Sequence, residues 1–278
     1  MADNNSAGLS PLGKKSEYVS VYTPSLLCPI PRHESRTPLG IKSDSLPFSG
    51  VDLWTGYELS WLDSQGKPQV AVAQFQFPCS NPNLVESKSF KLYLNSFNQT
   101  RFNSLQEVVQ TLESDLGIAS AGPVSVEVMP LSKAEQLHFG HFPAESIDEL
   151  DVSINAYQPA PTFLSADQQA SIVKESLCSN LLKTNCPVTG QPDWASVLVS
   201  YRGCPIDRDG LLRYIVSFRE HQDFHENCVE RMFVDIMKYC QPEELTVYAR
   251  YTRRGGLDIN PYRTNGMVDV SDLRLVRQ

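Results

Sequence analysis

The sequence predicts an α+β fold built as a tandem duplication. Paired alternating runs around Gly-containing turns signal hairpins, and separate amphipathic runs signal helices. A similar order of elements then recurs in the second half of the 278-residue chain. The chain is 41% hydrophobic and 20% charged, ordinary globular values that exclude wholesale disorder. No stretch approaches the roughly 18 uninterrupted apolar residues of a membrane helix, so a soluble protein without a membrane partner is expected. With 24 Lys and Arg against 32 Asp and Glu, the net charge of −8 speaks against direct nucleic-acid binding. The first twenty residues lack the apolar core of a signal peptide, so the seven cysteines are expected to be reduced in the cytoplasm. An odd count also argues against a complete disulfide framework.

Residues 1–50, rich in Ser, Pro, Lys and Asn, read as an irregular arm that wraps the domain or stays mobile. GYELSWLD and PQVAVAQFQF, joined by SQGK, predict a hairpin with Val70, Val72 and Gln74 on one face. ESKSFKLYLNSFNQ places Phe90, Leu94 and Phe97 at helical spacing, and a second helix opens with a Ser104/Glu107 capping box. PVSVEVMP is a strand. The Pro-, His- and Asp-containing stretch 131–163 suits a boundary, giving modules at 51–150 and 151–278.

In the second half, 165–183 reads as a polar helix, followed by the turn-rich TNCPVTGQPD and the strand WASVLVSYRG. A turn at Asp207–Gly210 leads into LLRYIVSFRE, where Leu212, Tyr214, Val216 and Phe218 alternate, so these two runs are expected to form a further hairpin. HENCVERMFVDIMKYC is an amphipathic helix carrying Cys228, Met232, Val234 or Asp235, and Tyr239 on one face, and ELTVYARY is a strand closed by Gly255-Gly256. On this reading Glu86 and Glu226 hold corresponding places in the two repeats.

Cys186 lies in a loop dense in Pro, Gly and Asn, expected between a helix and a strand, with Asp193 seven residues later. A thiol in an environment that favours thiolate is a nucleophile, and a buried structural cysteine is the plainer alternative. His225 and Glu226 open a helix, where a carboxylate either serves the helix dipole or accepts paired N–H donors from a flat heterocycle. Glu86 has the same two readings. Arg253, Arg254, Gly255 and Gly256, with Lys88, suit phosphate contacts or a simple strand-end turn. Neither a Rossmann fingerprint nor a Walker A loop is present. No C-x-x-C or H-E-x-x-H occurs, and His138/His141 and His221/His225 are the close non-adjacent histidine pairs, so no metal site is expected.

Together, ESKSFKLYLNSFNQT, LKTNCPVTGQPDW, FREHQDFHENCVERM and RRGGLDINP resemble the NADPH-dependent 7-cyano-7-deazaguanine reductases, nitrile reductases of queuosine biosynthesis, in their long two-module form. The resemblance covers residues 50–278. It implies tandem tunnelling-fold (T-fold) modules, antiparallel sheets backed by helices, in a homodimer. It also implies Cys186 as the nucleophile forming a covalent thioimide and Asp193 as the proton donor. Val85, Glu86, Ser87, His225 and Glu226 would contact the substrate 7-cyano-7-deazaguanine, and Ser87, Lys88, Arg254 and Gly255 would contact NADPH. Competing readings are a thiol-dependent nitrile or amide hydrolase, a zinc-dependent pterin or purine cyclohydrolase, and a non-catalytic purine-binding or tRNA-associated protein.

Overall fold

The computed structural model describes residues 18–136, 139–266 and 274–278, so His138 and residues 1–17 of the arm lie outside it. The fold is α+β. Among the described residues the chain forms two compact units, one of 18–44, 52–136 and 253–258, the other of 45–51, 139–252, 259–266 and 274–278. No helix of the described residues is long and apolar enough to cross a membrane.

In the first unit residues 18–44 of the arm pack on the rest of the unit. Strand β1 (Pro29–Pro31) precedes helix α1 (His33–Arg36), and the Tyr22 hydroxyl donates to Asp115 Oδ2 at 2.7 Å. The expected hairpin forms from β2 (Val51–Leu62) and β3 (Pro68–Pro78). Asp63 Oδ1 shapes its turn by accepting from the Gln65 and Lys67 N–H groups. The face that enters the core is Ala71, Ala73, Phe75 and Phe77, while Val70, on the opposite face with Val72 and Gln74, is exposed. Strand β4 (Asn83–Val85) pairs with β1, and helices α2 (Ser87–Asn95) and α3 (Leu105–Ser120) follow. The Phe90 ring of α2 sits 4.9 Å from Phe75 and 5.3 Å from Trp54 between centroids. The α3 cap is split: Ser104 Oγ accepts from Glu107 N, but Glu107 reaches back to Asn103 N rather than to Ser104. Strand β5 (Ser125–Pro130) closes the unit's sheet beside β3, antiparallel.

The second unit contains two short strands, β6 (Phe139–Gly140) and β7 (Glu145–Ser146), and then departs from the sequence reading twice. Residues expected to form a polar helix are strand β8 (Val173–Asn185), hairpinned to β9 (Pro192–Gly203). A β-bulge between Ser179 and Leu182 shifts the register, so the buried residues change parity from Leu177 and Ser179 to Leu182 and Thr184. That shift hides the period-2 signal. Asp148 fills the bulge, accepting from Ser179 Oγ and from the Asn180 backbone and side chain.

The second departure is α4 (Arg208–Ser217), expected as a strand. Leu211, Leu212, Tyr214, Ile215 and Phe218 are almost fully buried, which is helical spacing, whereas Val216 of the supposed alternation is only half-buried. Helix α5 (His225–Cys240) forms as expected, although Tyr239 is partly exposed. Strand β10 (Glu244–Tyr251) pairs with β9 and with β11 (Leu257–Thr264), and β12 (Arg274–Leu275) pairs with β6.

A repeat therefore exists, but with a different content. Each unit runs hairpin, helix, helix, strand: β2-β3-α2-α3-β5 and β8-β9-α4-α5-β10, with the last strand beside the second strand of its hairpin. Glu86 precedes the first helix of its repeat, α2, and Glu226 lies inside the second helix of the other, α5, so the two glutamates are not equivalent.

Candidate active site

Cys186 sits in a hairpin turn and not between a helix and a strand, because 173–185 is extended. Its N–H donates to the Gln191 carbonyl at 2.8 Å and its carbonyl accepts from Gly190 N at 3.0 Å, with Gly190 in the left-handed region at φ 67°. The ladder pairs Thr184 with Asp193. Cys186 directly follows β8 and is hydrogen-bonded to Gln191, two residues before Asp193 on the partner strand. Cys186 and Asp193 are both buried. The Lys183 Nζ donates to Asn185 Oδ1 and to the Arg219 carbonyl, each at 2.7 Å.

The start of α5 is tied to this turn. Asn185 N donates to the His221 carbonyl at 2.8 Å, and Asp223 N donates to the Asn185 carbonyl at 3.2 Å. Asp223 Oδ1 then accepts from Phe224 N and Asn227 Nδ2. His225, the first residue of α5, thereby reaches Asp193, with 3.5 Å between its Nε2 and Asp193 Oδ2. Glu226 follows, buried in the first helical turn where the helix dipole favours a carboxylate. Asp193, His225 and Glu226 are thus brought together at the head of α5, and Cys186 lies in the turn bonded to the segment that precedes this helix.

The surroundings are dry. Thr184 and Tyr251 are fully buried, and the imidazole of His225 stacks flat on Tyr251, 3.6 Å between centroids and 2° between planes. Burial pushes the Tyr251 hydroxyl and the Cys228 thiol well above their ordinary pKa values, with neighbouring Asp193 acting in the same direction on both. Both are therefore neutral at physiological pH.

The remaining expected residues lie in the first unit. Val85 ends β4, and Glu86 is the N-cap of α2: its Oε1 accepts from Lys88 N at 2.7 Å and its Oε2 from Ser89 N at 2.8 Å. The structural role of this carboxylate is therefore realised. Burial raises its pKa, and these N–H donors oppose the rise. Ser87 and Lys88 are half-buried in the first turn of α2. Arg254 and Gly255 occupy the exposed turn before β11, where Arg254 N donates to the Leu257 carbonyl at 2.8 Å. Gly255 and Gly256 have φ of 59° and 80°, and a Cβ on Gly256 would meet the Glu58 carboxylate at 2.5 Å. Glu58 also pairs with Lys91 of α2. A Cβ on Gly255 would meet nothing, so the backbone there is bare beside an exposed arginine.

Neither Tyr251, the last residue of the strand ELTVYARY, nor Asp223 was singled out as a site residue by the sequence. Among the described residues no group of three His, Cys, Asp or Glu side chains is placed to hold a metal ion.

The family model for nitrile reductase, 7-cyano-7-deazaguanine-reductase N-term, matches residues 18–128, and that for QueF-like protein matches 192–269. A Bordetella avium protein named NADPH-dependent 7-cyano-7-deazaguanine reductase is 54% identical over 270 residues, 97% of this chain and 98% of that protein. The chain belongs to the 7-cyano-7-deazaguanine reductase family. Proteins of the same name from Bordetella pertussis and Bordetella bronchiseptica are each 55% identical with the same coverage. The crystal structure of the archaeosine synthase QueF-Like in the apo form matches at 18% identity and a TM-score of 0.31, covering 36% of this chain and 99% of that one. Both halves of this reductase-family chain are matched by family models, and Cys186 falls between the two matched segments.

Proposed function

We propose that the chain catalyses the NADPH-dependent, four-electron reduction of the nitrile of 7-cyano-7-deazaguanine to the 7-aminomethyl compound, a step of queuosine biosynthesis. Its relatives carry that activity in their names. The single observation that carries the chemistry is the buried contact of His225 with Asp193, 3.5 Å between Nε2 and Oδ2, at the head of α5, which is hydrogen-bonded to the turn that follows β8 and holds the buried Cys186. The Cys186 sulfur adds to the nitrile carbon, an S–C bond forms, and one π bond of the C≡N group opens. Asp193 delivers a proton to the nitrogen, giving a neutral thioimide. The C–S bond breaks after the first reduction and returns the thiolate, and the imine left behind needs a site without bulk water, since water hydrolyses it.

Glu226 accepts the paired N–H donors of the guanine-like edge and His225 lies beside it, with Val85, Glu86 and Ser87 as further substrate contacts by family resemblance. The first-unit residues fit a phosphate-bearing cofactor. Arg254 is exposed, the Gly255 backbone is open, and Lys88 lies on the first turn of a helix. With Ser87 these residues would hold NADPH, which would supply one hydride per molecule, so that two NADPH are consumed in each turnover. The reading takes the chain as an arm (1–50) and two T-fold modules (51–150 and 151–278) in a cytoplasmic homodimer, for which light scattering should give twice the 31.1 kDa chain mass.

The test is intact-protein mass after mixing with the nitrile alone, and again after NADPH. One added substrate mass on Cys186, discharged as the aminomethyl product, is the expected result. Turnover by a Cys186→Ala protein would overturn the covalent route, and no NADPH consumption by the parent would overturn the activity.

A further inference from the structure

We infer that Tyr251 is the positioning residue for His225, and that Asn260 and Gln278 hold Tyr251 in place. This rests on the nitrile-reductase reading above. A histidine ring turns about a broad terminal torsion unless something fixes its plane. The usual constraint is a hydrogen bond through the ring nitrogen that does no chemistry. Here that constraint is missing among the described residues, where His225 Nδ1 is buried and has no hydrogen-bond partner. What remains is the Tyr251 ring, parallel to the imidazole within 2° and 3.6 Å away. Rotation of the imidazole would drive its edge into that plate. The plane so held is the one that keeps Nε2 3.5 Å from Asp193 Oδ2.

The plate itself is held by burial of its ring and by bonds to its backbone. Its hydroxyl lies against Thr184 and Cys228, and the whole residue is buried. Its backbone is clamped by side chains. Tyr251 N donates to Asn260 Oδ1 at 3.1 Å, and its carbonyl accepts from Gln278 Nε2 at 2.9 Å. Gln278 Nε2 also donates to Asn260 Oδ1 at 2.8 Å, while Gln278 Oε1 accepts from Arg250 Nε and Leu275 N. The β10–β11 ladder pairs Thr246, Val247 and Tyr248, so at Tyr251 these two amides stand where ladder bonds would otherwise be made.

The experiment uses the full chain with Tyr251→Leu, which removes the plate, and Tyr251→Phe, which keeps it. Steady-state NADPH consumption is measured against nitrile concentration, and the His225 ring protons are followed by NMR. Since a misplacement of about 1 Å can cost about a hundredfold, Tyr251→Leu should lower kcat by roughly ten- to hundredfold while KM for the nitrile moves less than about threefold. Tyr251→Phe should restore kcat. The His225 ring protons should be shifted upfield in the parent and the Phe variant and lose that shift in the Leu variant. Unchanged kcat in Tyr251→Leu, or an upfield shift that survives it, overturns the proposal. Should Tyr251→Leu fail to fold, Asn260→Ala and Gln278→Ala decide: lower kcat at constant KM with displaced His225 signals supports positioning, and unaltered signals and kcat refute it. If the parent reduces no nitrile, the activity reading fails by itself, and the ring-proton shifts still judge whether Tyr251 holds His225.

Discussion

Glu86 can be made to separate a helix cap from a substrate contact. Its two oxygens take the Lys88 and Ser89 N–H groups at 2.7 and 2.8 Å, so Glu86→Ala leaves two buried donors at the start of α2 unanswered. Losing an N-cap acceptor costs about 0.5–2 kcal/mol. At about 3 °C per kcal/mol for a chain of this size, the thermal midpoint should fall by roughly 2–6 °C. If Glu86 also grips the substrate, KM for the nitrile rises in the same variant. Glu86→Asp resolves the two effects. Aspartate is among the best N-cap residues, so the midpoint should return, but its carboxylate is one methylene shorter and the KM should stay raised. Differential scanning calorimetry and NADPH-coupled kinetics on the three proteins supply both readouts. A midpoint unmoved in Glu86→Ala refutes the capping argument, and a KM restored together with the midpoint in Glu86→Asp refutes the substrate contact.

Three further outcomes are expected. Asp193→Asn should lower kcat by about 10²–10⁴-fold, the usual worth of a positioned acid, while mass spectrometry still finds Cys186 intact and the nitrile still binds; a parental rate would dismiss Asp193 as the proton donor. Glu230→Ala removes from the fully buried Arg263 the carboxylate whose Oε1 is 2.9 Å from its Nη2, and should cost about 3–5 kcal/mol in urea unfolding, with a loss under 1 kcal/mol contradicting the burial argument. The pH dependence of the Glu86→Ala penalty follows from the raised folded pKa of Glu86. Its titration-linked contribution is fully present below the ordinary 4.5 and is lost as pH rises through the raised value. The stability gap between parent and Glu86→Ala should therefore narrow as pH climbs from 4.5, and a widening gap would reverse the assigned direction.

Local chemistry in the sequence was enough for the elements whose signals do not depend on neighbours. The β2–β3 turn shaped by Asp63, the Ser104 cap of α3, the amphipathic α5 and the Gly255-Gly256 turn follow from side-chain hydrogen bonding, periodicity and left-handed backbone. The motifs around Cys186, Asp193, His225 and Arg254 were likewise legible as motifs. Tertiary structure decided the rest. Strand β8 was hidden because its bulge changes which residues face the core, and the carboxylate that bonds this bulge, Asp148, is distant in sequence. Helix α4 looked like a strand because LLRYIVSF alternates apolar residues as readily as it stripes them, and only burial against the second unit's core selects the helical face. The same dependence holds at the site. Sequence spacing could name His225, but the ring beneath it comes from β10, and the amides that hold that ring come from Asn260 and Gln278. Stacking and clamping are contacts between segments far apart in the chain, and no local pattern of residues encodes them.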